Sequence, residues 1–119
     1  MATKNSMFQC PVEAALSLLG GKYKCIILWH LLERTHRYSE LQRVIPQATP
    51  KMLTQQLREL EDAGVIERKV YPVVPPKTEY SLTEFGLTLS PIIESMCDWG
   101  KTYMGDRIAP KDCKFVNTE

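Results

Sequence analysis

The chain has 119 residues, of which 44% are hydrophobic and 24% charged, and its formal net charge is +1. These values are typical of a single globular domain rather than a disordered chain. No apolar run approaches the roughly 20 residues needed to span a bilayer, and the N-terminal residues lack the basic-then-apolar layout of a secretory signal. We therefore expect a cytoplasmic protein with no membrane partner.

The cysteines argue against a metal centre. Their wide spacing includes no CxxC pair and no neighbouring histidine at ligand spacing, so the sequence predicts no metal site and no cofactor. In a reducing compartment the thiols should be free, either as small buried side chains or as reactive groups. The chain has four of them: Cys10, Cys25, Cys97 and Cys113.

Charge is distributed unevenly along the chain. Residues 22–58 contain seven lysines and arginines but two acids, whereas residues 59–67 contain four acids and no basic residue. A basic third of this kind could present a positive surface to a polyanion. Chance patchiness of a solvated surface accounts for it equally well, so charge alone does not decide between the two.

Start and stop signals predict two helices in the first third of the chain. Pro11 suits a first helical position and Gly20-Gly21 supplies a stop, which gives a helix from Pro11 to about Leu19. The next helix has apolar residues at helical spacing, which predicts that Cys25 lies in the core and that His30, beside this stripe, is structural. The stripe comprises Cys25, Leu28, Trp29 and Leu32.

Two further helices follow a short strand predicted at residues 36–38. Ser39 is expected to cap a helix from Glu40 to Val44, which Pro46 ends. Thr49-Pro50 then opens a helix that runs to about Ala63, with Gly64 at its C-terminal end. The buried stripe of this fourth helix is formed by Leu53, Leu57 and Leu60.

After Gly64 the hydrophobic period becomes that of strands. Residues Val65 to Tyr71 and Thr78 to Leu82 predict a two-stranded ribbon with a proline-stiffened tip. Thr83 then opens a long helix, which Pro91 should kink or divide.

This order of elements predicts an α+β, mostly helical winged helix-turn-helix fold, in which the fourth helix enters the major groove of DNA. The outer face of that helix carries Lys, Thr, Gln and Arg side chains that can bond to bases or phosphates. We expect double-stranded DNA to contact this face, the turn, the preceding elements and the hairpin. The candidate residues are Lys22, Arg37, Ser39, Thr49, Lys51, Thr54, Gln55, Arg58 and Lys77.

Several motifs together resemble the HxlR-type regulators, a branch of the MarR-like winged-helix transcription factors. The resemblance covers about Cys10 to Met104, and it departs from the usual pattern at Tyr23, at Tyr38 and in the turn at residues 47–49. These departures conserve size or capping role, so they leave the fold expectation intact and the base preference open. The motifs are Cys10-Pro11-Val12, Gly20-Gly21-Lys22-Tyr23, Arg37-Tyr38-Ser39-Glu40-Leu41, Leu53-Thr54-Gln55-Gln56-Leu57-Arg58-Glu59-Leu60, Gly64-Val65-Ile66-Glu67-Arg68, Pro75-Pro76, Glu79-Tyr80-Ser81-Leu82-Thr83 and Trp99.

The resemblance implies a homodimer, formed by the first and last helices, that binds a pseudo-palindromic operator and regulates transcription. It places the DNA-binding domain at residues 8–107, with residues 108–119 as a flexible tail. The last helix has an apolar stripe longer than so small a core can cover, which also favours a dimer. The stripe comprises Leu89, Ile92, Met96, Trp99 and Tyr103.

Cys10 is a candidate sensor of oxidants or electrophiles, because some members of the family that this chain resembles use a cysteine at this position as a sensor. Since it precedes Pro11, it should occupy the N-cap of the first helix, where unpaired N–H groups favour a thiolate. A purely structural cap is an equally good interpretation of the same position.

Two other classes of function are alternatives to DNA binding. A winged-helix module that binds only proteins would leave the outer face of the fourth helix solvated, and the basic third of the chain argues against it. An enzyme is the weakest hypothesis, because the sequence has no Gly-rich phosphate loop, no HExxH and no GxSxG, and we expect no catalytic residue. The operator, the regulated genes, the sign of regulation and any small-molecule effector are left open.

Overall fold

The structure is a computed structural model and describes residues 7–109. The chain forms helices and strands in the order helix, helix, strand, helix, helix, strand, strand, helix, helix. The elements are α1 (Pro11–Leu19), α2 (Lys24–Glu33), β1 (His36–Arg37), α3 (Tyr38–Val44), α4 (Pro50–Asp62), β2 (Ile66–Tyr71), β3 (Lys77–Leu82), α5 (Glu84–Leu87) and α6 (Ser90–Met104), followed by a 3-10 turn at Gly105–Arg107.

Helices α1 and α4 begin in the same way, and both follow the sequence prediction. The Cys10 sulfur and the Thr49 hydroxyl each accept a hydrogen bond from the backbone N–H three residues on, at 3.4 and 3.1 Å. A proline follows each cap, where its missing N–H costs no helical hydrogen bond. Helix α4 ends before Gly64, whose φ of 79° is a conformation that favours glycine.

Helix α3 begins earlier than predicted. Its N-cap is Arg37, and the Glu40 carboxylate accepts a hydrogen bond of 2.9 Å from the Arg37 backbone N–H. The N-cap of the helix therefore lies two residues before Ser39, the predicted cap. Ser39 therefore lies inside the first turn, and the prediction that it caps the helix was wrong.

The sheet has three antiparallel strands in the order β1-β3-β2, where the sequence predicted a two-stranded ribbon. The hairpin itself was predicted correctly, and its register pairs Ile66 with Leu82 and Tyr71 with Lys77. The added strand is β1, because His36 pairs with Tyr80. The sheet therefore ties the segment before α3 directly to the hairpin.

A hydrophobic core joins α2, α3 and α4 to the base of the sheet, with one residue each from α1 and α6. The face of α2 that lies deepest is formed by Ile27, Leu28 and Leu31, whereas Cys25, Trp29 and Leu32 are half-buried beside the core. The predicted apolar stripe of α2 is thus rotated by about one residue, and Cys25 is at the margin of the core. The fully buried side chains are Ile27, Leu28, His36, Leu41, Ile45, Leu53, Leu57, Leu60, Val65 and Ile66.

The predicted long C-terminal helix is divided in two, as the position of Pro91 suggested. Helix α5 is a single turn capped by the Thr83 hydroxyl, which accepts a hydrogen bond of 3.0 Å from the Gly86 N–H. Helix α6 starts at Ser90 and has Pro91 in its first turn. Gly86 is buried, and a Cβ atom there would overlap the backbone carbonyl of Val65.

Candidate nucleic-acid interface

Helix α4 presents its polar face to solvent because its apolar face is held in the core. Leu53, Leu57 and Leu60 are at most 1% exposed. Residues three or four positions apart share a helix face, so the polar side chains between these leucines point outward together. The exposed set contains the predicted donors Lys51, Thr54, Gln55 and Arg58, and Thr49 is exposed at the cap.

Tyr38 joins α3 to α4 at the start of the polar face. Its hydroxyl lies 3.2 Å from the Pro50 carbonyl oxygen, to which it donates, and 3.0 Å from Thr54 Oγ1. Thr54 is therefore oriented by the helix that precedes the turn. From the sequence, Tyr38 was predicted to end a short strand and to conserve the size of the usual residue, and this positioning role was missed.

Glu59 is a negative charge on α4 that the structure neutralises. Its carboxylate lies 2.8 Å from Lys24 Nζ and accepts a hydrogen bond of 3.2 Å from Gln55 Nε2. The Lys24 ammonium, and then Gln55, hold the pKa of Glu59 below its ordinary value. Lys24 is only 7% exposed, so its ammonium pairs with Glu59 of α4 and adds little positive charge to the outer surface.

The segment before α2 is fastened to α4 and to the turn by Tyr23. The Tyr23 N–H donates to Gln56 Oε1 at 3.1 Å, and its hydroxyl donates to the Gln47 carbonyl at 3.1 Å. Lys22 is exposed beside this residue, with Nζ 5.6 Å from the Tyr23 ring centroid. These contacts place Lys22 close to the turn between α3 and α4.

Arg37 and Ser39 are both exposed at the start of α3. Glu40, next to them, accepts from the Arg37 backbone and lies 3.4 Å from Arg34 Nη1. The Arg37 N–H, followed by Arg34, lowers the pKa of Glu40. The Arg37 side chain therefore stays on the surface while its backbone completes the helix start.

The hairpin carries more basic residues than the sequence analysis selected. Lys77, the predicted contact, is exposed in the first position of β3 and not in the tip. On β2, Arg68 lies 3.3 Å from Glu61, and Lys69 lies over the Tyr71 ring at 5.3 Å from its centroid. The charge count along the sequence stopped at residue 67 and so missed both β2 residues, which follow directly at positions 68 and 69.

The predicted dimerisation stripe divides into a buried and an exposed part. Leu89 is 8% exposed and belongs to the core of its own chain, so its selection as an interface residue was wrong. The other four residues form an apolar strip along α6, with exposures from 43% to 69%. They are Ile92, Met96, Trp99 and Tyr103.

Helix α1 has a similar exposed apolar side. It contributes only Leu19 to the core, while Val12 and Leu16 are 67% and 57% exposed. Cys10 is exposed at the start of this helix, and its sulfur accepts a hydrogen bond from the Glu13 N–H. The Glu13 carboxylate in turn accepts a hydrogen bond of 2.7 Å from the Gln9 N–H. Cys113 lies outside the described residues.

These features define a winged helix-turn-helix protein: two helices joined by a tight turn, the second with an exposed polar face, and a hairpin beside them. The model of the HxlR-like helix-turn-helix family matches residues 18–108. The chain belongs to that family.

Relatives of this chain are HTH-type transcriptional regulators, and solved structures of a redox regulator and a transcriptional regulator share its fold. The HTH-type transcriptional regulator YdeP of Bacillus subtilis is 57% identical over 99 residues, which are 83% of this chain and 77% of YdeP. The redox regulator HypR in its oxidized form is 52% identical with a TM-score of 0.76, and the match covers 78% of this chain and 96% of HypR. The reduced form of the regulator YodB from B. subtilis is 36% identical with a TM-score of 0.68, over 81% and 95% of the two chains.

The helices of residues 7–109 include none that is both long enough and apolar enough to cross a membrane. The relatives are regulators rather than enzymes.

Proposed function

We propose that this transcriptional regulator binds duplex DNA sequence-specifically through α4, with the hairpin and the start of α3 contacting the flanking backbone. The observation that carries the proposal is the exposed polar face of α4, whose apolar face is fixed in the core. Arg and Gln side chains can each bond two atoms of a purine edge in the major groove. Neutralisation of Glu59 by Lys24 removes a charge that would repel phosphate.

The same proposal includes a homodimer on a pseudo-palindromic operator, formed by α1 and α6. Both helices carry exposed apolar side chains, among them Val12, Leu16, Met96 and Trp99. Burying such a strip against a second copy removes apolar area from water, which is the main driving force of association. Two α4 helices would then contact half-sites about 34 Å apart, or a multiple of that distance.

Within this proposal residues 8–107 form the DNA-binding domain. The expected tail at residues 108–119 lies mostly outside the described residues, which end at 109.

Selection of bound fragments from genomic DNA, followed by mobility-shift titration at low and raised salt, tests DNA binding. We expect a pseudo-palindromic site and an affinity that falls as salt rises, because phosphate contacts release counterions. The absence of any shift with the selected fragments, at low salt, would instead favour a protein-interaction module.

We further propose that modification of the Cys10 thiol controls DNA binding. Cys10 is exposed at the start of α1, a helix that we assign to the dimer interface, so a group added there can alter how the two chains meet. By contrast, burial raises the pKa of the Cys25 thiol, which makes its reactive thiolate scarcer. The similarity to a redox regulator supports this control.

Operator binding before and after treatment with diamide or a quinone tests Cys10 control. We expect the wild type and Cys113→Ser to lose the operator, and Cys10→Ser to keep it. If Cys10→Ser releases DNA as the wild type does, or the wild type keeps it, Cys10 is not the switch.

A further inference from the structure

A group of metal-ligating side chains lies at the C-terminal end of α2, away from the polar face of α4. One nitrogen each from His30 and His36 and a carboxylate oxygen of Glu33 all lie within 4.8 Å of one another. From the sequence we predicted no metal site, because the cysteines lack ligand spacing and His30 was interpreted as structural; the group contains His30 and no cysteine.

The backbone brings these residues together. His30 and Glu33 are three positions apart on α2 and so share a face. Helix α2 then stops at Arg34, whose φ of −175° and ψ of 171° are extended, and β1 begins two residues later. Because His36 pairs with Tyr80 of β3, its ring is fixed 6.0 Å from that of His30, at an angle of 69°.

His36 is prepared to act as a ligand. It is only 1% exposed, and its Nδ1 lies 2.9 Å from the Arg34 carbonyl oxygen. A carbonyl only accepts hydrogen bonds, so Nδ1 is the donor in this contact and Nε2 is the nitrogen that can bind an ion. Metal-binding histidines typically have this arrangement, in which a backbone carbonyl holds the nitrogen that does not bind the ion.

The geometry and local charge suit a cation. Ligands around a tetrahedral ion with bonds of about 2.0–2.1 Å lie roughly 3.4 Å apart, so the donors must approach by no more than about 1.4 Å. Glu33 is exposed on the last turn of α2 and can supply this adjustment by changing rotamer. The carbonyl end of a helix also carries partial negative charge, while the adjacent Arg34 guanidinium is occupied by Glu40 and by the Thr35 carbonyl.

We propose that His30, Glu33 and His36 bind one divalent transition-metal ion of the zinc class, with water completing the coordination. Two imidazoles and one carboxylate form a ligand set that prefers such ions to Mg²⁺ or Ca²⁺, which take oxygen ligands. The bound ion would link the end of α2 to β1.

Equilibrium dialysis of the chelator-treated full chain against Zn²⁺, and titration with Co²⁺ as a spectroscopic probe, test the site. We expect one ion per chain, and a cobalt spectrum without the charge-transfer band of a thiolate ligand. His30→Gln and Glu33→Gln should each weaken binding by at least about tenfold, since even outer-shell partners of a metal contribute that much. Zn²⁺ should raise the Tm of the wild type and leave that of His30→Gln unchanged, because an ion bound only by the folded chain stabilises it.

Glu94→Gln, which alters an exposed carboxylate on α6, is the matched control and should bind Zn²⁺ like the wild type. The two exposed or half-exposed positions carry the test, because substitution of the buried His36 can disturb folding. Wild-type affinity in His30→Gln, a thiolate band in the cobalt spectrum, or no stoichiometric binding would each overturn the proposal.

Discussion

In the proposed DNA complex, Gln55 and Arg58 would meet a base in different ways. Gln55 already donates to Glu59 at 3.2 Å and must exchange that bond for one to DNA, whereas the Arg58 side chain is exposed on the same face. The exchange favours a base that offers Gln55 two bonds, such as adenine. If Gln55 contacts a base as proposed, discrimination at this position would depend on the Glu59 carboxylate as well as on the Gln55 amide.

Replacement of Gln55 or Arg58 by alanine should weaken binding to the selected operator by about 1–3 kcal/mol and relax specificity at the contacted base. Mobility shifts on the operator and on a scrambled duplex measure both effects. Lys101→Ala, on α6, removes a surface charge away from α4 and is the control. Unchanged operator affinity in both variants would show that α4 is not the element that reads the DNA.

Glu59 predicts a pH dependence of stability. Because Lys24 and Gln55 lower its pKa in the folded chain, Glu59 adds stability above its ordinary pKa of 4.5, and this stability is lost as the pH falls through the lowered folded value. Urea unfolding across this range should show the wild type more stable than Glu59→Gln at neutral pH, with the two curves converging in acid. In a Lys24→Met background, Glu59→Gln should change the free energy of unfolding little. If Glu59→Gln destabilises the Lys24→Met protein as much as the wild type, Glu59 is stabilised by a group other than Lys24.

At the scale of elements, the Tyr38 hydroxyl is the contact that sets α3 against α4. Tyr38→Phe keeps the ring and removes the bonds to Pro50 and Thr54. We expect a loss of about 0.5–1.5 kcal/mol in the free energy of unfolding, the usual net value of a hydrogen bond, together with weaker operator binding. Urea unfolding and mobility shifts measure the two losses.

Tyr71→Phe, on β2, is the control for Tyr38→Phe in the unfolding measurement. If Tyr38→Phe weakens DNA binding without any change in stability, the hydroxyl acts on DNA directly rather than through α4.

Elements whose signals are local were predictable from the sequence. The proline starts of α1 and α4, the end at Gly64 and the hairpin strands all depend on residues within a few positions of one another. Strand β1 was recognised only as a short local strand, because its place in the sheet depends on His36 pairing with Tyr80, far along the chain. The buried face of α2 was misplaced by one residue for the same reason. Which side of α2 is buried depends on the helices that pack against it, and the hydrophobic period within α2 does not show where those helices lie.

The polar face of α4 was likewise predictable, because three buried leucines fix which side points outward. Its supporting contacts were not, because ion pairs such as Lys24 with Glu59 and hydrogen bonds such as Tyr23 with Gln56 join separate elements. The group formed by His30, Glu33 and His36 also depends on the turn at Arg34, which spacing alone does not specify.

At the scale of the whole molecule, the apolar strip of α6 predicts the oligomeric state. Trp99 is 58% exposed and lies 5.3 Å from the Tyr103 ring, centroid to centroid, in the middle of this strip. Trp99→Glu places a charge there, so we expect a monomeric mass at micromolar concentration by light scattering. Operator binding should fall by roughly a hundredfold, because two linked half-site contacts become one.

Leu87→Glu is the control, because Leu87 is 52% exposed on α5, outside the strip. It should remain a dimer and bind DNA as the wild type does. A wild-type protein that is monomeric with and without DNA would contradict the dimer directly.

The close approach of α5 to the sheet limits how this sequence can diverge. A single methyl group at position 86 would meet the Val65 carbonyl, which is backbone and cannot turn aside, whereas a Cβ at Gly100 or Gly105 would meet nothing within 4 Å. In a saturation library sorted for folded protein, position 86 should keep only glycine while positions 100 and 105 accept many residues. Among the three glycines at positions 86, 100 and 105, tolerance to substitution is thus decided by one backbone contact.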